Sequence, residues 1–173
     1  GSVGAGVGAT AGKLRGGFGL ASRRVGEYEV SAAMVANPVG EVIEPQSGRL
    51  YGAPGRTPVN AAAYRALPHP AEAKLNTTIG AVLTDAPVTT AQAQRLAMTA
   101  HDGIARAVRP GQSPLDGDAI VAFSTAPRPA EHSTQQITQI CAAAADAVEE
   151  AIANAVTAAD PGLALSAYRD LLD

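Results

Sequence analysis

Tryptophan is absent from this chain, cysteine occurs once, and aromatic residues make up only 3% of its 173 positions. One cysteine leaves no internal disulfide framework and suits a reducing compartment, with the cytoplasm as the expected location. So few aromatic rings argue against a stacking surface for single-stranded nucleic acid. Charge of one sign is also lacking: a net charge of −3 and a pI near 5.6 give no electrostatic footprint for DNA or RNA. No apolar run reaches the roughly 20 residues that cross a bilayer, and no charged segment leads into a signal-peptide core. Neither nucleic acid nor membrane is therefore expected as a partner. His69, His101 and His132 share no ligand spacing with one another or with Cys141, which argues against a metal site. What the chain does have is small apolar residues. Hydrophobic residues reach 46%, many of them alanine, enough for a core of short side chains with closely packed elements. The length suits one domain, residues 1–173.

Residues 1–19 hold eight glycines and show no apolar period of 2 or 3.6. From Gly26 to Asn37 the pattern alternates, with Tyr28, Val30, Ala32 and Met34 on one face of a strand. Asn37-Pro38-Val39-Gly40 has turn chemistry, so Glu41-Val42-Ile43-Glu44 reads as the returning strand of a hairpin. Pro45 to Leu75 reads as a long proline-rich loop with a helical turn near Ala61–Leu67, and loops of that length are usually functional or disordered. Thr77 to Thr84 is an apolar, β-branched run expected to be a strand buried on both faces. Thr89-x-x-Gln92 and Ser133-x-x-Gln136 are capping boxes. The first opens a helix with Leu96, Ala100 and Ile104 on one face, ended by Pro110. The second opens a long helix to about Ala159 with Ile140, Cys141, Ala144, Val148 and Ile152 on its stripe. Between them Asp118 to Thr125 is another apolar strand, and Ser166 to Leu172 reads as a short final helix. Strands paired with long alanine-rich helices fit layered α+β packing.

The chemistry concentrates at Asn76-Thr77. A threonine hydroxyl is a poor nucleophile unless a base sits beside it, and a freed N-terminal amine is one way to supply that base. Such an amine has a reference pKa of about 7.7–8, close to working pH. A cut before Thr77 would therefore create nucleophile and base together; the plain alternative is a turn-to-strand junction. Asp116 and Asp118 flank Gly117 just before a strand. They are an ordinary acidic turn, two carboxylates reaching one site, where each raises the other's proton affinity, or, as a distant third option, metal ligands. The glycine-rich start fails the P-loop pattern, because Gly12-Lys13 is followed by Leu14. It gives only Gly-x-Gly-x-x-Ala as a dinucleotide pattern, with no strand before it. No cofactor is expected.

Three blocks together resemble the DmpA-like N-terminal-nucleophile hydrolases, which include β-peptidyl aminopeptidases and the nylon (aminohexanoate-oligomer) hydrolases. They are Gly4-Ala5-Gly6-Val7-Gly8-Ala9-Thr10-Ala11-Gly12-Lys13-Leu14-Arg15-Gly16-Gly17-Phe18-Gly19; Asn76 through Pro87; and His101-Asp102-Gly103-Ile104-Ala105-Arg106, followed by Pro114-Leu115-Asp116-Gly117-Asp118 and Phe123-Ser124-Thr125. Asn-Thr at the cut and Asp116-x-Asp118 are closer to the nylon-oligomer branch than to members with Gly-Ser and Ser-x-Glu. The resemblance implies a layered αββα sandwich of two sheets between helix layers. It also implies a chain that begins inside the glycine-rich block and lacks an N-terminal portion. It implies self-cleavage at Asn76-Thr77 into residues 1–76 and 77–173, with Thr77 as nucleophile, Asn37 as oxyanion donor, and Asp116 and Asp118 holding the new amine and hydroxyl. Arg15 stands where the family has lysine, and with Lys13 it is the candidate to complete the polar network. Arginine keeps the charge but stays protonated. The implied substrate is a small peptide or oligoamide, and the implied assembly a homo-oligomer of cleaved heterodimers. Two other readings stay open from the residues: an acyltransferase of the ornithine acetyltransferase type, and an uncut, non-catalytic module. His101 and Asp102 read as helix-surface residues, Cys141 as core, and Arg23-Arg24 and Glu149-Glu150 as solvated charges.

Overall fold

A computed structural model describes residues 1–68 and 76–173. Its centre is a four-stranded sheet in the order β3-β4-β5-β6, with β3 Gly17–Val25, β4 Tyr28–Ala36, β5 Ile79–Thr84 and β6 Ala119–Ser124. β3, β4 and β5 pair antiparallel, while β6 lies parallel to β5. A parallel neighbour needs a crossover, and the helix α2, Thr90–Ala107, supplies it. A two-stranded ribbon, β1 Thr10–Ala11 and β2 Leu14–Arg15, precedes the sheet, and α1, Ala61–Ala66, lies in the long connection before the Asn76 junction. The helix α3, Thr134–Thr157, and a 3₁₀ turn at Tyr168–Leu171 complete the order.

Both long helices begin where the capping boxes put them: the Thr89 and Ser133 hydroxyls accept the backbone N–H of Gln92 and Gln136. Both then pack on one face of the sheet. α3 crosses β3 and β4, α2 covers β6, and the two helices pack against each other. Val30, Ala32, Met34 and Val82 meet Leu96, Ile104, Ile140, Val148 and Ile152 in one core, all of them at most 1% exposed. Missing side chains set how close the layers come. A Cβ on Gly103 would sit 2.4 Å from the Ala145 carbonyl oxygen, and one on Gly19 would sit 2.0 Å from that of Ala151. The alanine content thus becomes close approach of helix to helix and helix to sheet.

Three expectations change. Glu41–Glu44 is not the returning strand of a hairpin. β4 pairs instead with β3 through a two-residue turn at Gly26-Glu27, where Gly26 takes φ +60° as a type II′ hairpin requires. Glu41 and Ile43 make only isolated bridges, to Arg109 and Leu50. The partner strand begins inside the glycine-rich segment, whose glycines hid the alternation. Second, the run after Thr77 is buried on one face only. On the other face Leu20, Ile79, Leu83, Val121 and Phe123 are exposed, Val121 and Phe123 each to 53%. Third, Arg23 and Glu150 form an ion pair across β3 and α3. The helical turn near Ala61 is present, capped by the Asn60 carboxamide oxygen. The loop residues 69–75, with His69, lie outside the described residues.

The fold is α+β and layered: one helix layer and one mixed sheet. Among the described residues no helix is long and apolar enough to cross a membrane.

Candidate functional site

Sheet geometry places the Asn76-Thr77 junction. Ladder register runs on past the strand ends: Val35 faces Ile79, so Asn37 faces Thr77, and the Thr77 N–H donates to the Asn37 carbonyl at 3.2 Å. On the other side the parallel pairing continues to an Asn76–Asp116 bridge. There the Asn76 N–H donates to the Leu115 carbonyl at 3.1 Å, and the Gly117 N–H donates to the Asn76 carbonyl at 3.0 Å. The peptide linking Asn76 to Thr77 is therefore held from both sides at the head of the central strand.

The Thr77 hydroxyl donates to that same Asn76 carbonyl at 2.6 Å. Gly117 lets it lie close: a Cβ at this position would stand 3.2 Å from the Thr77 Oγ1. Asn37 presents its carboxamide oxygen to the Thr10 N–H at 2.9 Å. That bond fixes which end of the amide is which, since an N–H needs an acceptor, and it leaves the Asn37 Nδ2 as a donor. Thr10 also accepts, at 3.4 Å, from the side chain of Asn76.

Asp116 and Asp118 come to this corner, and neither is hydrogen-bonded to Thr77. Asp116 accepts the Val39 N–H at 2.9 Å and the Ser113 hydroxyl at 2.7 Å, which ties down the loop that follows Asn37. Asp118 accepts the Thr78 N–H at 2.7 Å through Oδ1. Its Oδ2 is buried without a partner among the described residues, as is the Thr78 hydroxyl. Burial pushes the Asp118 carboxyl above its usual range, opposed by the Thr78 N–H and reinforced by the charge of Asp116. Burial, rather than mutual repulsion of the two acids, is the main cause.

The two basic candidates are held elsewhere. Arg15 is buried, donates to the Val7 carbonyl and abuts Gly162. Lys13 is buried with its Nζ 5.5 Å from the centre of the Tyr64 ring, and the Tyr64 hydroxyl donates to Glu41. A cavity of about 290 Å³ opens beside Thr77 and Asn37, with Ala5, Gly8 and Ala9 from the glycine-rich segment and Val35 and Ile79 as apolar walls. Arg15 and Lys13 are not among its lining residues. His101 lies on α2, and Cys141 is buried in the core. Among the described residues no group of three or more His, Cys, Asp or Glu is arranged to hold a metal ion.

Two residues at the junction escaped the sequence reading. Thr10 and Gly117 act partly or wholly through backbone N–H groups, which leave no mark in residue chemistry. The only sequence signal for Gly117 is its place between the two aspartates.

The chain as a whole has counterparts among known proteins. Residues 1–165 match peptidase family S58, and the chain belongs to that family. It is 39% identical to an uncharacterised aminopeptidase of Mycobacterium leprae, over 97% of this chain and 51% of that protein. It is 31% identical to a 6-aminohexanoate-oligomer endohydrolase of Kocuria, over 72% of this chain and 39% of the relative. Among solved structures, a Burkholderia β-aminopeptidase aligns with a TM-score of 0.69 and 30% identity, covering 91% of this chain and 46% of that one. The L-aminopeptidase D-Ala-esterase/amidase of Ochrobactrum anthropi, described as a variant of the Ntn hydrolase fold, aligns at 0.70 and 29%, covering 91% and 44%. The chain thus spans about half the length of the aminopeptidases it matches.

Proposed function

We propose that this chain carries the catalytic centre of a self-processing amide and peptide hydrolase, with Thr77 as nucleophile. One observation carries the reading: the Thr77 hydroxyl lies 2.6 Å from the carbonyl oxygen of the peptide bond that precedes it, beside an open cavity. Maturation cuts Asn76 from Thr77 and yields residues 1–76 and 77–173. The pieces stay together because β5 remains hydrogen-bonded to β4, along the register Val30–Thr84 to Val35–Ile79.

In turnover the Thr77 oxygen attacks a substrate amide and the new α-amine takes up the hydroxyl proton, which then protonates the leaving nitrogen. The Asn37 Nδ2, freed by the Thr10 N–H, stabilises the oxyanion. Water adds to the ester, restores the hydroxyl and releases the acid. Asp118, bonded to the Thr78 N–H, is positioned to hold the amine one residue away, and Asp116 fixes the loop beyond Asn37. Arg15 supports the glycine-rich wall through the Val7 carbonyl and takes no proton. The cavity walls are short and uncharged, which fits a small neutral acyl group from a peptide or oligoamide. We assign the working form to an oligomer of cut chains in the cytoplasm; the bare apolar sheet face supports further protein covering it.

Intact mass of the natively expressed protein, with amide release measured on the same sample, tests this. Two pieces meeting at Asn76-Thr77, and no hydrolysis in Thr77→Ala, are expected. Full turnover by an uncut chain would refute it.

A further inference from the structure

We infer that Gly117 supplies the oxyanion donor for self-cleavage through its backbone N–H, a role separate from that of Asn37 in turnover. The inference rests on Thr77 being the nucleophile and concerns what stabilises its attack on Asn76.

The oxygen that acquires charge is the Asn76 carbonyl. Two donors meet it: the Thr77 hydroxyl at 2.6 Å and the Gly117 N–H at 3.0 Å. As the hydroxyl oxygen attacks the Asn76 carbon it gives up its proton, so its own hydrogen bond to that oxygen is lost. The Gly117 N–H remains. It belongs to the continued β5–β6 ladder, so it is fixed before the reaction and needs no reorganisation during it. The Asn37 side-chain oxygen is engaged with Thr10, and at the junction Asn37 holds the Thr77 N–H through its main-chain carbonyl. Asn37 therefore grips the leaving nitrogen, and Gly117 grips the carbonyl.

The step balances. A C–O bond forms between the Asn76 carbon and the Thr77 Oγ1, the C–N bond breaks, and the hydroxyl proton ends on the Thr77 nitrogen. Water then splits the ester into an Asn76 carboxylate and a restored hydroxyl. The missing Cβ is a second requirement, because a methyl group 3.2 Å from the Thr77 Oγ1 would crowd the attacking atom.

The test replaces residue 117 by its α-hydroxy acid in the otherwise natural full-length protein, which exchanges the N–H for an ester oxygen without adding bulk. Scission is followed by intact mass beside wild type and Thr77→Ala. Scission is expected to slow roughly 100-fold or more in the ester variant, the usual loss for one oxyanion donor. An ester variant that cuts as fast as wild type, while Thr77→Ala stays whole, overturns the role of Gly117 and leaves that of Thr77 standing. Scission that continues in Thr77→Ala sinks both. To separate chemistry from misfolding, the Asn76 carbonyl is isotope-labelled in a Thr77→Ala background and read by infrared. Its amide band should move to higher frequency in the ester variant, and an unmoved band contradicts the hydrogen bond itself.

Discussion

The two ends of the β5–β6 pair carry the same kinds of side chain and use them differently. At the C-terminal end every hydroxyl is engaged. Thr84 donates to the Glu29 carbonyl at 2.8 Å and accepts the Ala86 N–H at 3.1 Å. Ser124 donates to the Ala86 carbonyl at 2.7 Å and accepts the Ala126 N–H at 3.2 Å. At the N-terminal end Thr77 donates to the peptide it is proposed to break, while the Thr78 hydroxyl and the Asp118 Oδ2 are buried with no partner among the described residues. A buried polar atom without a partner costs stability, and such atoms in a native fold mark strain or function. The contrast separates an end whose hydroxyls are all bonded from one where two buried polar atoms have no partner among the described residues.

The largest effect should come from the Thr77 end. Thr77→Ala is expected to abolish both scission and amide release, read by intact mass and by product formation. Asn37→Ala should come next. Turnover should fall about 10²- to 10³-fold, as for loss of one oxyanion donor, with substrate affinity little changed; an unchanged kcat would remove Asn37 from the site.

Thr84→Val, at the fully bonded end, should act on stability instead. Loss of a buried, doubly bonded hydroxyl should cost about 1–3 kcal/mol in chemical denaturation, with scission intact. Its counterpart Thr78→Val sharpens the contrast. Removing a buried hydroxyl that has no partner should be neutral or stabilise by less than about 1 kcal/mol. A cost equal to that of Thr84→Val would mean the two ends are alike.

The smallest effect concerns pH. Burial raises the Asp118 carboxyl above its reference value of 3.8, so the folded state holds that proton more tightly than the unfolded chain does. The contribution to stability is fully present below 3.8 and is lost as pH rises through the raised value. Asparagine does not titrate. The stability of Asp118→Asn relative to the parent protein should therefore grow across that window and level off above it, as thermal melts at a series of pH values would show. A gap that shrinks over the same window contradicts the assignment.

Much of the fold was legible along the chain. The capping boxes at Thr89 and Ser133, the stripe from Ile140 to Ile152 and the alternation from Tyr28 to Met34 each encode a local rule, and each appears in the structure. The partner of β4 did not, because Gly17 and Gly19 contribute no side chain to an alternating pattern; their absence of bulk is what lets α3 close onto β3. The junction itself was legible as chemistry, through Asn76, Thr77 and the two aspartates. The contributions of Thr10 and Gly117 were not, since a backbone N–H is the same in every residue but proline and only position decides what it meets. The expected closeness of Arg15 to the site came from its place in a motif, and its guanidinium turns instead to Val7.

The amino-acid order by itself determined where the two long helices start and the alternation of β4, because capping and periodicity act over a few residues. It also set out the Asn76-Thr77 dipeptide and the two aspartates on which the proposed chemistry rests. Only the tertiary structure decided that the Asn76 carbonyl sits between a hydroxyl and the Gly117 N–H, since that meeting depends on the register of strands 40 residues apart. It likewise decided that one apolar sheet face is packed and the other bare, a difference set by what lies across the sheet and not by the residues on it.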